Sequence, residues 1–421
     1  MVRRDKSARV EPDEKSRGIS DSYRAVAIVG LGLMGGSLAL ALRRSGYRGK
    51  ILGVSRPETL AEARSLGAID EGFSYDDLPA AASAADLVVL ASPISVIITH
   101  LRALGEPGAG LKPGTVVTDV GSTKRAILDA AACLPRTAAF IGGHPLCGSE
   151  KRGVTAADPF LYQNAYYVLT PSPGVSEAAT QKLGAFLATT GARMVVLTAE
   201  QHDRIAATIS HLPQLLAVSL VRFLEDLGAQ KEHGVHLAAG GFRDMTRIAS
   251  SPFSVWKDIV ATNRDEIQRA LGRFLDAART SFTSLDEKSL ASSFDEAART
   301  RAEIPRDSKG FLSRLWDVLV VVEDRPGMIL QIAAPLAAKG VNIQDIEVMK
   351  VREGEGGTMR LAFATRELAL EAVETLVKAG LSARLRERDR IFQIWLPRAA
   401  APRLRQAQCG NDRRRSAESR V

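Results

Sequence analysis

The chain has 421 residues, which at roughly 150 residues per domain allows two or three domains with sizeable cores. Its 45% hydrophobic and 25% charged residues are typical of a globular protein and argue against a disordered or fibrous chain. The net charge of +8 resides mainly in residues 398–421, which carry seven arginines against two acids, so we expect no nucleic-acid groove. We also expect a cytoplasmic protein with no membrane span and no metal site. We expect no signal peptide because the first 22 residues are charged and have no apolar core; the sequence has no run of about 18 apolar residues, and its three cysteines form no CxxC pair.

Short β-branched runs alternate with Ala- and Leu-rich stretches over residues 24–174, after a charged arm at residues 1–23 that we expect to be disordered. This alternation predicts an α/β fold with a doubly wound, Rossmann-like parallel sheet. A Pro-Ser-Pro-Gly segment, Pro171–Gly174, marks the end of the block. The predicted strands have the sequences AVAIVGL, KILGVS, ADLVVLAS, GTVVTDV, AAFIGGHP and AYYVLT.

Helical periodicity replaces the strand pattern over residues 175–302, which predicts an all-α domain. Ile205, Ile209, Leu212 and Leu216 recur at three- and four-residue spacing and mark one apolar helix face. The overlapping stretch LPQLLAVSLVRFL is apolar on more than one face, which favours burial against a second subunit or within a bundle. We predict a homodimer from this pattern.

A charged linker at residues 303–316 leads to a third pattern at residues 317–396. Its order is strand, helix, strand, Gly-rich turn, strand, helix and strand, which predicts a ferredoxin-like βαββαβ domain. Residues 397–421 form the basic tail. We expect this tail to be disordered and solvated, with weak binding to polyanions as the alternative.

The glycine-rich turn Gly30-Leu31-Gly32-Leu33-Met34-Gly35 follows the first predicted strand and opens the first predicted helix. Glycines at this spacing allow a tight turn and a close approach of the backbone, and a helix N-terminus attracts a pyrophosphate. The motif therefore predicts a dinucleotide site, the alternative being a glycine turn without a ligand.

The second predicted strand ends in Ser55-Arg56, where an NAD site usually places an acidic residue for the ribose hydroxyls. An arginine at this point pairs with a 2′-phosphate, and a serine hydroxyl can bind the same phosphate. The pair favours NADP⁺ over NAD⁺. A solvated arginine in a tolerant NAD⁺ site is the alternative.

Two loops follow the ends of later strands, at the edge where doubly wound sheets bind ligands. Ser122 lies in DVGSTK and is either a site residue or only the N-cap of the following helix. His144 lies in GGHPLCGSE before a proline, which favours extended backbone. A histidine at this edge is a candidate acid–base or hydrogen-bonding group because it titrates near neutrality, although a lone histidine is usually structural.

The helical block contributes Gly240–Arg247, in which glycines precede an Arg/Asp/Arg cluster. This pattern is typical of an anion-binding turn rather than of a helix interior. Asp244 and Arg247 lie three residues apart, so a simple ion pair across one helical turn is the alternative role for Arg247.

These motifs, in this order, resemble the prephenate dehydrogenase family, which includes arogenate and cyclohexadienyl dehydrogenases. The resemblance covers about residues 24–300 and rests on VGLGLMGGSLA, DVGSTK, GGHPLCGSE, HDRIAATISHLP and GGFRDMTRIASSPFSVW. The third domain resembles an ACT domain, with Asp324-Arg325-Pro326-Gly327 after its first strand and Gly340-Val341-Asn342-Ile343 after its helix. A Rossmann-like domain, an all-α dimerisation domain and a C-terminal ACT domain are the implied architecture.

The resemblance implies oxidative decarboxylation of prephenate to 4-hydroxyphenylpyruvate with NAD⁺ or NADP⁺, in tyrosine biosynthesis. It implies that His144 accepts a hydrogen bond from the ring hydroxyl, that Ser122 helps to place it, and that Arg247, oriented by Asp244, holds a carboxylate. The remaining implied substrate contacts are Glu150, His211, Gln214 and Trp256. The cofactor contacts that we predict are Gly30, Gly32, Leu33, Met34, Gly35, Ser55, Arg56, Ser92, Pro93, Ser122 and Thr123. L-tyrosine is the implied effector, at Asp324, Gly327 and Asn342.

One position departs from the family pattern. Many prephenate-using members have a second histidine after the HLP motif, where this chain has Gln214, and arogenate-using relatives often lack that histidine. Arogenate dehydrogenase, which makes tyrosine directly, is therefore the alternative activity. A non-catalytic regulatory protein that senses NADP and an amino acid is the alternative of another class.

Overall fold

The computed structural model describes residues 22–148, 151–283, 286–304, 315–322, 325–349 and 357–386. The chain forms two compact units that meet in sequence at residue 312. Most of the expected arm at residues 1–23, most of the linker at 303–316 and the whole tail at 397–421 lie outside the described residues.

The first unit contains an eight-stranded sheet in the order β3-β2-β1-β4-β5-β6-β7-β8. Neighbouring strands are parallel except β6 and β7, which pair antiparallel. The strands are β1 (Ala25–Val29), β2 (Lys50–Val54), β3 (Glu71–Phe73), β4 (Leu87–Leu90), β5 (Val116–Asp119), β6 (Ala139–Pro145), β7 (Tyr166–Pro171) and β8 (Arg193–Val196). The six predicted strands are all present, and the doubly wound sheet is confirmed.

The sheet extends beyond residue 174, where the sequence pattern placed the start of the helical block. Strand β8 lies at Arg193–Val196 and pairs parallel with β7. It occupies the edge of the sheet and has only four residues, with the first three half-buried and Val196 exposed. A strand this short gives little β-branched signal, so the pattern missed it, as it missed the three-residue β3.

Six helices cover the two faces of this sheet. They are α1 (Leu33–Arg44), α2 (Pro57–Ser65), α3 (Leu78–Ala84), α4 (Ile94–Gly105), α5 (Arg125–Ala131) and α6 (Glu177–Ala188). Strand β1 shows the layering, because Val26 and Ile28 belong to one buried cluster whereas Ala27 and Val29 belong to the other. Because both faces of the sheet are buried, the sequences of its strands are continuous apolar runs.

The helical part of the first unit begins after β8. Its helices are α7 (Ala199–Ala206), α8 (Leu212–Phe223), α9 (Lys231–Leu237), α10 (Gly240–Thr246), α11 (Phe253–Thr262), α12 (Arg264–Phe282) and α13 (Glu287–Glu303). A π-helical turn, Ala207–His211, separates α7 from α8. A 3₁₀ segment precedes α9 at Leu224–Gln230, and another follows α10 at Arg247–Ser250.

The apolar face expected from Ile205 to Leu216 is divided in the structure. Leu212 is buried and Leu216 packs beside it, whereas Ile205 and Ile209 are 44% and 65% exposed. The π turn, which contains Ile209, widens the helix by one residue, so the four side chains do not share one face. Many large apolar side chains of the helical part are also exposed, among them Phe223, Val235, Leu237, Met245, Phe253 and Phe274.

One run, Ala199–Leu237, is long and apolar enough by length and composition to cross a membrane, and 28% of its most apolar window is buried. Such a run is weak evidence for a span, since a helix that is covered by a second subunit has the same composition. The π turn and the non-helical Gly228 interrupt the run, and Asp203 lies buried within it.

The second unit is a four-stranded antiparallel sheet in the order β10-β11-β9-β12 with two helices on one face. Its elements are β9 (Trp316–Val322), α14 (Met328–Ala338), β10 (Asp345–Met349), β11 (Gly357–Phe363), α15 (Arg366–Lys378) and β12 (Ser382–Leu385). The predicted ferredoxin-like order is thereby confirmed. Gly327 has φ +93° and directly precedes α14, and Asn342 is exposed before β10. Asp324 and the Gly-rich turn up to residue 356 lie outside the described residues.

Candidate active site

The glycine turn between β1 and α1 has the geometry that a dinucleotide pyrophosphate requires. Gly30 has φ +96°, and a Cβ on Gly35 would lie 2.1 Å from the carbonyl oxygen of Gly30. Gly32 directly precedes α1, and its Cβ position has open space within 4 Å. Leu33 and Met34 form the first helical turn, which contains no acidic residue. Phosphate oxygens can therefore approach the backbone N–H groups of this helix end.

The neighbouring loops place the other predicted cofactor residues around this turn. A Cβ on Gly30 would lie 2.6 Å from Oγ of Ser92, and Pro93 directly precedes α4. At the end of β2, Ser55 is 4% exposed and Arg56 is exposed. Arg56 forms no ion pair with any residue in the described ranges, so its guanidinium is available to a ligand.

Ser122 is not a helix cap. Helix α5 begins at Arg125, two residues later than an N-cap at Ser122 requires. The Ser122 hydroxyl is half-buried and makes no hydrogen bond to the described part of the chain. Thr123, in contrast, is fully buried and shares a 2.8 Å hydrogen bond with the hydroxyl of Thr262 in α11. Thr123 therefore holds the helical part to the sheet.

A buried ion pair lies beneath this loop and escaped the sequence analysis. Asp119, the last residue of β5, pairs with Lys124, and both side chains are fully buried. Lys124 Nζ also donates to the carbonyl of Gly143 at 2.6 Å, and Asp119 accepts the Gly143 N–H at 2.9 Å. Burial lowers the pKa of Lys124, and the charge of Asp119 opposes that effect. The pair fixes the end of β5 to the end of β6.

His144 lies near the end of β6, beside this pair. Its Nδ1 is 2.8 Å from Nε2 of His202, and His202 Nδ1 is 2.8 Å from Oδ1 of Asp203. Burial holds the pKa of His144 well below its usual value, and the neighbouring His202, Lys124 and His211 lower it further. His144 is therefore neutral near pH 7, and its ring can accept a hydrogen bond.

Asp203 joins the helical part to the sheet. Its Oδ1 accepts the backbone N–H of Lys124 at 2.7 Å, and its Oδ2 accepts that of Arg125 at 3.0 Å. These bonds cap α5, which has no capping side chain of its own. Burial raises the pKa of the Asp203 carboxyl, but the hydrogen bonds from His202, Arg125 and Lys124 outweigh burial and leave it below the usual value. Asp203 is therefore a carboxylate.

His211 and Gln214, the two residues predicted on the His-Leu-Pro segment, are buried near His202 and Asp203. His211 is 2% exposed, and its ring lies 6.0 Å from that of Trp256 in an edge-to-face arrangement. Burial lowers the pKa of His211 to about 4. Gln214 is 4% exposed, and its Nε2 donates to the carbonyl of Ile248 at 3.0 Å. Gln214 thereby supports the backbone next to Arg247.

Arg247 and Asp244 lie exposed on the segment from α10 to the following 3₁₀ turn. The ion pair considered as the alternative role of Arg247 is absent, and so is the expected orienting contact, because these two described side chains do not bond to each other. The Arg247 guanidinium is thus available to an anion. Glu150 lies outside the described residues.

Comparison with known proteins follows the same division of the chain. Family models described as prephenate dehydrogenase nucleotide-binding domain, prephenate dehydrogenase dimerization domain and ACT domain match residues 38–196, 198–296 and 316–379. The chain is 36% identical to prephenate dehydrogenase of Bacillus subtilis over 367 residues, which are 83% of this chain and 95% of that protein.

Two solved structures are also similar. Prephenate dehydrogenase from Aquifex aeolicus, in complex with hydroxyphenyl propionate and NAD⁺, is 32% identical with a TM-score of 0.58, over 67% of this chain and 98% of that chain. Arogenate dehydrogenase from Synechocystis is 30% identical with a TM-score of 0.60, over 67% and 100% of the two chains. The match to a nucleotide-binding domain, which begins three residues after the glycine turn, and the similarity to a structure that contains NAD⁺ show that the chain depends on NAD(P)⁺. Taken with the geometry of the site, these similarities show that the chain belongs to the prephenate dehydrogenase family and carries a C-terminal ACT domain.

Proposed function

We propose that this protein catalyses the oxidative decarboxylation of prephenate to 4-hydroxyphenylpyruvate. The observation that carries the proposal is the position of His144. Its neutral imidazole lies at the carboxyl edge of the same sheet that bears the glycine turn, and the loop that carries Ser122 follows the neighbouring strand β5. In a doubly wound sheet this edge is where cofactor and substrate meet.

A nicotinamide bound at the glycine turn would supply the acceptor for the hydride that leaves the ring carbon bearing the hydroxyl. His144 accepts the hydrogen bond of that hydroxyl and holds its proton as the carbon–hydrogen bond breaks. The carboxylate then leaves as carbon dioxide, the electron pair of the broken carbon–carbon bond enters the ring, and the phenolic oxygen keeps or regains the proton. Ser122 is the second group that orients the hydroxyl.

Arg247 binds a substrate carboxylate in this proposal. The guanidinium has no ionic partner among the described residues, and Gln214 supports the adjacent backbone through the carbonyl of Ile248. His211 and Trp256 lie edge to face and form an apolar wall of the pocket. Glu150 is assigned to the same pocket from the family resemblance.

Ser55 and Arg56 support a preference for NADP⁺. Arg56 is exposed at the end of β2 and has no ion pair in the described structure, and Ser55 is buried beside it. A 2′-phosphate would give Arg56 a charge-assisted partner, whereas the ribose hydroxyls of NAD⁺ find no carboxylate at these two positions.

A homodimer, a tyrosine effector and a cytoplasmic location complete the proposal. Two observations support the dimer. The helical part exposes large apolar side chains, and residues 198–296 match a dimerization domain. The ACT domain supports an amino-acid effector, and Gly327 and Asn342 stand at the strand–helix junctions where backbone groups can hold one.

Initial rates with prephenate and arogenate, each with NAD⁺ and with NADP⁺, test the proposal. We expect the highest kcat/KM with prephenate and NADP⁺. Faster turnover of arogenate would establish the alternative activity, which Gln214 favours. Absence of NAD(P)H formation with both substrates would refute the catalytic assignment and favour the regulatory protein.

A further inference from the structure

The histidine that faces the substrate is the first member of a chain of three side chains. His144 contacts His202, and His202 contacts Asp203, each at 2.8 Å. His202 and Asp203 are 3% and 0% exposed, so water does not compete for these bonds. None of the activity described above uses His202 or Asp203.

The hydrogen-bonding capacity of each group fixes the direction of this chain. Asp203 is a carboxylate and can only accept, so Nδ1 of His202 carries the proton between them. A His202 ring whose one proton lies on Nδ1 can only accept at Nε2, and the proton between the two histidines then belongs to Nδ1 of His144. In that arrangement the lone pair of a neutral His144 lies on Nε2, to which no described residue donates a hydrogen bond.

From this, the geometry points to a positioning role for His202 and Asp203: they hold His144 in the tautomer whose Nε2 accepts the substrate hydroxyl. The inference rests on the proposed function of His144. The opposite tautomer would present an N–H to the hydroxyl and could not take its proton. In serine proteases, where a buried aspartate orients the catalytic histidine in this way, replacing the carboxylate by its amide lowers kcat about 10⁴-fold.

Capping of α5 does not explain the whole cluster. The backbone N–H groups of Lys124 and Arg125 use both oxygens of Asp203, and this bonding would be complete without a histidine. His202 instead brings a second ring nitrogen to His144, which lies 58 residues earlier in the chain. An aspartate that only capped α5 would not need His202 between itself and His144.

A pair of substitutions at His202 tests the role by separating orientation from packing. The side-chain oxygen of His202→Gln can occupy the position of Nε2 and accept the His144 N–H, whereas His202→Leu fills similar space without an acceptor. We expect His202→Leu to lower kcat at least ~100-fold and His202→Gln less than about 10-fold. KM and the dissociation constant of NADP⁺ should change little in both. His100→Leu removes another buried histidine, stacked on Tyr75 away from the site, and serves as the control.

The tautomer itself is measurable without turnover, by ¹⁵N NMR of the wild-type protein labelled at its six histidines. Comparison with His144→Asn assigns the His144 signals. We expect a proton on Nδ1 and none on Nε2 near pH 7. A proton on Nε2 would overturn the inference, as would equal losses of kcat in the Gln and Leu variants. If the wild-type enzyme turned over neither substrate, the proposed function would fail while the NMR result still decided the tautomer.

Discussion

His211 gives the sharpest quantitative test of the buried cluster, through the pH dependence of stability. Burial lowers its pKa in the folded protein to about 4, against 6.5 for a histidine in water. Between these values the unfolded chain binds a proton that the folded chain does not. The free energy of unfolding therefore falls as the pH falls through this window.

The expected size follows from the two pKa values. Lowering the pH from 7 to 5 should remove about 2 kcal/mol of stability through His211 alone. His100 and His144, whose pKa values are also lowered by burial, add to the loss in the wild-type protein. His211→Asn keeps an acceptor near the position of Nδ1, which faces Asn263 Nδ2 at 3.2 Å, but it cannot titrate. The variant should lose about 2 kcal/mol less than the wild type between pH 7 and pH 5.

The assay is urea unfolding at pH 7, 6 and 5, at one protein concentration, read as the change in the free energy of unfolding with pH. A loss of packing in the variant that is the same at every pH does not affect this change in the free energy of unfolding. His236→Asn, at an exposed position of α9, is the matched control. If His211→Asn and the wild type lose stability equally on acidification, His211 is not held neutral by burial and the reasoning is refuted.

Four further outcomes are expected. His144→Asn should lower kcat at least ~100-fold with unchanged cofactor affinity, and near wild-type turnover would remove its role. Arg247→Ala should raise KM while the melting temperature stays constant, since no ion pair is lost; an unchanged KM would exclude carboxylate binding. Arg56→Ala should raise KM for NADP⁺ more than for NAD⁺, and equal effects would refute the 2′-phosphate contact. A chain ending at Arg306 should stay active and lose an inhibition by tyrosine of about 5- to 150-fold, whereas undiminished inhibition would place tyrosine elsewhere.

The sequence alone determined the features that arise from local pattern. The six longer strands of the sheet and the order of the ACT-type unit follow from runs of apolar residues and the turns between them. The glycine turn was predictable for the same reason, because Gly30 and Gly35 satisfy a steric need within a single β-strand–helix junction. The edge strands β3 and β8 were missed since three or four residues carry too little pattern.

Only the tertiary structure decided how the site is held together. Asp203 caps a helix 79 residues earlier in the chain, and His202 reaches His144 across 58 residues. Such contacts depend on how the helical part packs on the sheet, and no spacing in the sequence records that packing. The structure also decided between the two roles of Ser122. The local pattern allowed Ser122 to cap α5, but Asp203 caps that helix instead. A hydrogen bond between distant residues is specified by the arrangement of whole elements, and therefore it becomes visible only once those elements are placed.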